Sequence, residues 1–528
     1  MAAAFAVIVP LFLLGNASGH DFEFHLLSWM EVVNQWKQGI FYPRWAQFAH
    51  WTYGEARFLF YPPTSWNLGA ALGAVLPWKL VSGAYTWIAL TTSGLTMFLL
   101  ARRWLSGRDA IFAATLYTAN PYYLVIVYWR SAQAELLAGC LLPLLLLLIL
   151  RAEEEGKHIL VPLCLVVAAA WLTNAPAAVM VNYSLVLLVV VVAIVRRSPR
   201  ILFYGGGAVV LGAALASFYL VPAAYEEKWI NLGEVLAPGV RPQDNFLFTR
   251  THEDDHNRFN LLMSIIAVAE MLVLAASVYL SRKRRKDHSA AWWTLTAWAT
   301  AVVLVMFPFT LLLWEHLPKF RYVQLPWRWL LCLNVAFALL VTIACRRWIT
   351  RLLLYATMLA LIWIVWHRPQ QPWWDTPADI EEMHDAIEDG GGYEGADEYV
   401  PAQVDPYELK KDAPQVTILS GDRARIHIVE WSAQSKIFSA DVPHAEEVRL
   451  RVFNYPAWRV EVNGRPVPAT SQPITGEIVF SLPVGANSVR VTFVQTPDRL
   501  GGGIVSLVAL LVVIVLSIQN KKPRRPPT

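Results

Sequence analysis

Charge is scarce in this sequence. Lys, Arg, Asp and Glu make up 16% of the 528 residues, against 56% hydrophobic ones and a mean hydropathy of +0.40. So little polar surface cannot cover a soluble protein of this length. Cysteine is scarce too. Cys140, Cys164, Cys332 and Cys345 all lie in or at the end of apolar runs, so neither a disulfide framework nor a cysteine zinc site is indicated. Motifs for soluble cosubstrates are missing: there is no P-loop, no GxGxxG after a strand, no HExxH and no GxSxG. That disfavours a pump driven by ATP bound to this chain, and the Gly205-Gly206-Gly207 run is read as close helix packing. The formal net charge of +4 is small, and the basic residues sit in short loops, so no nucleic-acid partner is implied.

What the chain does contain is apolar runs. Twelve are readable, at 2–14, 80–101, 110–128, 134–150, 160–171, 177–195, 201–221, 261–280, 291–313, 327–344, 352–366 and 503–518. Most approach the ~20 residues that a bilayer core demands. The 63–76 segment is shorter and reads as a helix lying in or dipping into the outer leaflet. The first run has no basic n-region and is taken as an uncleaved span rather than a signal peptide. Lys and Arg cluster at 102–108, 151–157, 196–200, 282–286, 346–351 and 521–525, alternating with poorly basic loops. By the positive-inside rule both termini are then cytoplasmic, and the 17–63 and 225–260 loops lie outside. The expected fold is a polytopic α-helical membrane protein of about twelve spans. A transmembrane domain covers 1–366, an extracytoplasmic domain 367–500, and a final helix with a basic tail 501–528.

The 367–500 segment is the one water-soluble stretch. Its residues 375–389 carry a helical pattern, broken by Gly390-Gly391-Gly392. From Gln415 onward VTILS, RIHIVEW, KIFSADV, EVRLRVF, WRVEV, EIVFSL and SVRVTFV alternate with the period of strands, and Asn463-Gly464 signals a tight hairpin. A small antiparallel β-sandwich is expected, covering the membrane site without chemistry of its own.

Charge reappears in the first external loop, GHDFEFHLLSWMEVVNQWKQGIFYPRWAQFAHWTYGEARFLFYPP. Phe24, Leu27, Trp29, Val32, Val33 and Trp36 recur at helical spacings, which predicts an amphipathic interfacial helix with Asp21 and Glu23 on its first turn. Further polar residues gather on the same side: Arg130 and Glu135 between the third and fourth spans, and Glu315, His316, Lys319, Arg321, Gln324 and Arg328 before the tenth. Charges near a span cost about 2.5–3.5 kcal/mol unless paired or hydrated, so their convergence points to a pocket, against the plainer reading of snorkelling side chains. The plainer reading of Asp21 is a helix cap. Trp45, Tyr53, Tyr61 and Trp66 are either an aromatic belt or sugar-stacking faces. Asp21-x-Glu23-x-His25 offers ligands for a divalent ion such as Mg or Mn, although spacings of two and four do not share one helix face.

Gly19-His20-Asp21 with His25, Tyr42-Pro43-Arg44-Trp45 and Phe60-Tyr61-Pro62-Pro63 together resemble the first external loop of GT-C membrane glycosyltransferases. Within that class the chain is most similar to the bacterial and archaeal membrane proteins called 6-pyruvoyl-tetrahydropterin-synthase related. Arg130 to Glu135, the Gln324-Leu325-Pro326-Trp327-Arg328 run and the terminal β domain extend the likeness. The resemblance implies sugar transfer from a polyprenyl-phosphate-linked donor to an acceptor hydroxyl on a glycan, lipid or protein, at the outer face of the cell membrane and with inversion. Asp21 would be the general base. Glu23, His25, Arg44, Tyr61, Arg130, Glu135, Arg321, Gln324 and Arg328 would line the substrate site. The rival readings are a lipid or glycan transporter, disfavoured by the lack of a visible internal duplication, and a noncatalytic glycolipid-assembly factor.

Overall fold

The computed structural model describes residues 1–282, 289–367, 374–420 and 425–521. The basic stretches at 283–286 and 522–525, and the side chains of 153–157, fall outside what it describes. All twelve apolar runs are helical, but they are not twelve full-length spans. Among the described residues seven helices are long and apolar enough to cross a bilayer: Trp78–Ala101, Gly107–Arg130, Gln133–Ala152, Ala175–Arg196, Asp254–Ser281, Pro326–Ala344 and Pro497–Gln519. Two more runs are bent pairs, Arg200–Leu215 with Ser217–Trp229 at 75° and Ala290–Val305 with Pro308–His316 at 93°. Ala2–Leu13, Leu160–Thr173 and Trp348–Ile364 are shorter. At 1.5 Å per residue a twelve-residue helix rises only about 18 Å, well under the ~30 Å hydrocarbon core. Length and composition therefore license seven crossings, or nine if each bent pair is one, in place of the expected twelve.

The bends have local causes. Pro308 opens the second limb of its pair, where a residue without an N–H and with a fixed φ suits the start of a new helix better than the middle of an old one. At the other bend the Phe218 N–H, freed from its ladder, donates 2.8 Å to Ser506 Oγ on the last helix, so the break is satisfied by a neighbour. The short helix expected at 63–76 forms as Pro63–Gly73.

The 17–63 segment departs from expectation. Its helix, Phe22–Lys37, is buried on most sides and packs against Pro63–Gly73 and Pro377–Glu388, so much of the face expected to meet water is enclosed by protein. Its polar residues Ser28 and Glu31 are buried facing an ion network and not water, and buried Gln35 donates 2.8 Å to the Trp45 carbonyl. Arg57 Nε lies 2.5 Å from Glu55 Oε1, and Arg57 Nη1 donates 2.8 Å to Ser28 Oγ. The guanidinium lies 4.4 Å from the Phe24 ring centroid. His50 Nε2 stands 3.0 Å from Glu55 Oε2, the Ala396 N–H donates to the same oxygen at 2.9 Å, and the Phe48 N–H donates to Glu31. Partnered charges of this kind can be buried where isolated ones cannot. Trp45, Tyr53 and Trp66 are each 1% exposed and so form no interfacial belt; Trp45 packs on Tyr455, Trp458 and Phe493.

The described residues of the polar segment form a capped helix Pro377–Glu388 followed by two antiparallel sheets. One takes the order Val416–Ile418, Glu446–Phe453, Glu477–Leu482, Thr470–Ser471; the other Arg425–Trp431, Ser435–Val442, Gly485–Phe493, Trp458–Val462, Arg465–Val467. Inward residues of both, among them Val448, Leu450 and Phe480 from the first and Phe438, Val460 and Val491 from the second, share one core. Asn463 (φ 52) and Gly464 (φ 74) make the expected hairpin turn. Among the ties that hold this region to the rest of the chain, Asn16–Ala17 pairs with Trp374–Asp375, the Phe453 N–H donates to the Tyr53 carbonyl, and the Tyr455 hydroxyl donates 2.6 Å to Glu226, which Arg499 of the last helix grips at 2.6 and 2.8 Å.

Candidate functional site

The span Gly107–Arg130 ends in a wide π-type turn, Ile126–Arg130, and Ser131 then takes a left-handed conformation (φ 49). Such turns break the regular ladder and recur at functional sites. Here the turn gives the N-terminal loop something to hold. The Asp21 N–H donates 2.9 Å to the Arg130 carbonyl; the Gly19 N–H donates 3.2 Å to Ser131 Oγ, which itself donates 2.8 Å to the Ala17 carbonyl. A Cβ on Gly19 would stand 2.6 Å from the Arg130 carbonyl carbon, so only glycine allows this approach.

Asp21 occupies the N-cap position of its helix, yet its side chain makes no capping bond. Oδ1 lies instead 2.8 Å from His20 Nδ1, with Asp21 31% and His20 82% exposed. Burial pushes the Asp21 carboxyl up, but the His20 hydrogen bond and the charge of Arg130 outweigh it and hold the group well below the usual carboxylate range. The same hydrogen bond raises His20.

Beside it two arginines share one carboxylate. Arg130 Nη1 lies 2.6 Å and Arg328 Nε 3.1 Å from Glu135 Oε2, and the Tyr122 hydroxyl donates to the other oxygen. None of Arg130, Glu135 and Arg328 is more than 9% exposed. Arg328 Nη1 donates to Gln324 Oε1 and the Val323 carbonyl, both at 2.8 Å, and Gln324 Nε2 donates 2.7 Å to the Val235 carbonyl of the 225–260 loop. Arg130 lies 5.1 Å from the centroid of Trp327. Asp21 sits in the field of both guanidinium groups. One carboxylate cannot neutralise two cations, so the group retains positive charge that Asp21 balances.

His25, one turn along from Asp21, is 3% exposed and packs against Phe24, Trp29 and Tyr61; burial pushes it down to about 4, which keeps it neutral. Burial raises the Tyr61 hydroxyl well above its ordinary value, and the charge of Asp21 adds to this.

Of the residues expected to line a site, Asp21, His25, Tyr61, Arg130, Glu135, Gln324 and Arg328 come together. Three do not. Glu23 is exposed and influences Asp375 instead. Arg44 stands 5.5 Å from the Tyr42 ring, in the field of Arg499, Glu226 and Asp498. Arg321 is exposed over Tyr322. Asp21 and Glu23 therefore do not form a chelating pair for Mg or Mn, and among the described residues no three His, Cys, Asp or Glu side chains are grouped to hold an ion. Tyr122 and His20 were not singled out as site residues from the sequence. Tyr122 lies eight positions before Arg130 across a π-type turn that no spacing announces, and His20 carried only its adjacency to Asp21.

A family model described as "6-pyruvoyl-tetrahydropterin synthase related domain; membrane protein" matches residues 58–369. The match takes in Arg130, Glu135, Gln324 and Arg328 and begins after Asp21. No curated protein matches the chain. Similar solved structures include ArnT from Cupriavidus metallidurans bound to undecaprenyl phosphate, with a TM-score of 0.42 and 12% identity over 73% of this chain and 74% of that one. Another is the archaeal oligosaccharyltransferase AglB from Archaeoglobus fulgidus in complex with an inhibitory peptide and a dolichol-phosphate, at 0.41 and 14% over 75% of this chain and 56% of that one. A third, the oligosaccharyltransferase of Archaeoglobus fulgidus in complex with Zn and sulfate, scores 0.36 at 12% identity, over 75% and 54%. Likenesses this distant carry no functional argument.

Proposed function

The chain belongs to the 6-pyruvoyl-tetrahydropterin synthase related family of membrane proteins, and we propose that it is a glycosyltransferase taking its sugar from a polyprenyl-phosphate-linked donor. The observation that carries the reading is Asp21: a carboxylate not used to cap its helix, beside two arginines that share one counter-charge. A lipid phosphate fits such a place, because guanidinium groups bind phosphate oxygens through charge-assisted bonds and a lipid carrier brings the sugar to the bilayer boundary.

In the proposed step the acceptor hydroxyl oxygen bonds to the anomeric carbon while the bond from that carbon to the phosphate oxygen breaks. The electron pair leaves on the polyprenyl phosphate, and Arg130 and Arg328 stabilise the charge that develops there. Asp21 takes the hydroxyl proton and His20, largely exposed, passes it to water. Attack opposite the leaving group inverts the anomeric centre. Because Asp21 is held ionised it is a weak base, so proton transfer comes late, once the bonded hydroxyl has become acidic. Tyr61 and neutral His25 supply an apolar wall against which a sugar face can pack. The residues around Asp21 do not fit a divalent ion, and no step requires one; the positive charge comes from the arginines.

The test is an assay of purified protein in lipid nanodiscs with a panel of polyprenyl-phosphate sugars and an acceptor mixture. Release of free polyprenyl phosphate with sugar attached to acceptor is expected. Translocation of intact donor without bond cleavage would make the chain a carrier, and neither outcome would leave it an assembly factor.

A further inference from the structure

We propose a second binding site, for an anionic saccharide, in the C-terminal region. A cleft of about 820 Å³ opens between the Lys228–Trp229 turn, the 401–404 segment and the segments around Arg459 and Gln472. That volume lies within the ~300–1,000 Å³ of ligand clefts, and none of the residues around Asp21 lines it.

The chemistry of the walls selects the ligand. The half-buried Trp229 offers an aromatic face, suited to the apolar side of a sugar ring. Gln403, Asn454 and Gln472 bring side-chain amides, each with donors and an acceptor for hydroxyl groups. Among the described residues the only charged ones lining the cleft are Lys228 and Arg459, both cations and both exposed. The Lys228 ammonium rests 3.7 Å from the Tyr225 ring centroid and 5.6 Å from that of Trp229, at the edge of the aromatic face, so a carboxylated or phosphorylated sugar matches this set, whereas a neutral one leaves the Arg459 charge unused.

The cleft is also built to hold its shape. The Ala402 N–H donates 2.9 Å to the Trp229 carbonyl, the Asp405 N–H 2.8 Å to the Ile474 carbonyl and the Asn454 N–H 2.7 Å to the Gly476 carbonyl. Behind it the Tyr455 hydroxyl donates 2.6 Å to Glu226, which Arg499 fixes. Two lining residues, Gln403 (φ 74) and Ile474 (φ 70), adopt the left-handed backbone that side chains disfavour, a strain that clusters at ligand sites.

The inference goes beyond transferase activity and stands or falls separately from it, since the readout is binding. Tetragalacturonate, its fully methyl-esterified form and an acidic tetrapeptide of glutamate would be titrated calorimetrically into the full chain in nanodiscs. Tetragalacturonate is expected to bind, with the ester and the peptide each weaker by about tenfold or more, the scale of one lost charge-assisted hydrogen bond. Arg459→Ala and Lys228→Ala, at exposed positions where folding is not at risk, should each weaken it about tenfold. Absence of binding at about 10 mM, ten times a weak millimolar Kd, would overturn the proposal. So would equal affinity for the ester or the peptide, or unchanged affinity in both variants.

Discussion

Glu135→Gln probes the paired arginines directly. Arg130 and Arg328 both rest on Oε2, at 2.6 and 3.1 Å, in surroundings that leave all three residues no more than 9% exposed. Removing one partner of a buried ion pair costs about 3–5 kcal/mol, because the other charge is left uncompensated. Here the amide keeps a carbonyl oxygen for the arginines while its NH2 can donate to the Tyr122 hydroxyl, and Asp21 still offsets one of the two cations, so the lower part of that range applies. Thermal unfolding of the protein in nanodiscs should therefore shift down by several degrees. Inorganic pyrophosphate, able to occupy the vacated counter-charge, should recover part of the loss, whereas it should stabilise the parent protein less. An unfolding temperature equal to that of the parent would refute the shared-carboxylate account. A fall that pyrophosphate does not touch would refute the idea that this place accepts a phosphate.

Arg328→Ala should weaken binding of a polyprenyl-phosphate donor by about tenfold to a hundredfold, as expected for lost hydrogen bonds to a charged group, while Arg321→Ala, on an exposed side chain, should leave it unchanged; equal effects would place the phosphate elsewhere. Burial pushes Glu31 up to about 8, the Phe48 N–H and the charge of Arg57 opposing it only in part. Between pH ~4.5 and 8 the folded chain then holds a proton the unfolded chain has released, so stability falls as pH rises. Glu31→Gln should flatten unfolding temperature against pH between about 5 and 7, leaving the smaller slope from Glu398 and Asp375, which burial also raises; Lys436, lowered to about 7 by burial, opposes only above that pH. An unchanged profile would show Glu31 to be ionised throughout. For orientation, Tyr407→Cys at a 78% exposed position should react with a membrane-impermeant thiol reagent from outside the cell only; reaction solely after lysis would invert the topology.

The periodic parts of the chain were legible in advance. Strand alternation from Gln415 and the Asn463-Gly464 turn are short-range signals, and the sheets follow them. Apolar runs gave every long helix, but hydropathy reports composition and not length or straightness. Ala2–Leu13 therefore looked like a span, and the 93° bend before Pro308 was missed. The 17–63 segment misled for a related reason: a helix with one polar face reads the same whether that face meets water or, as with Glu31 and Ser28, a buried arginine. Trp45 looked like a membrane-interface aromatic because its partners Tyr455 and Trp458 are four hundred positions away. At the site, charge in an apolar context marked Asp21, Arg130, Glu135 and Arg328. It could not separate Arg328 from Arg321 seven positions earlier, because only the tertiary fold decides which guanidinium is enclosed.

The central claim concerns one carboxylate, and Asp21→Asn removes its charge while keeping its shape. Single-turnover transfer from a polyprenyl-phosphate sugar, measured alongside donor affinity on the same nanodisc preparation, is predicted to slow by about a hundredfold or more, the range of general-base catalysis, with donor affinity retained or tightened as a negative charge leaves the arginines. Transfer at near-parental rate would contradict the account.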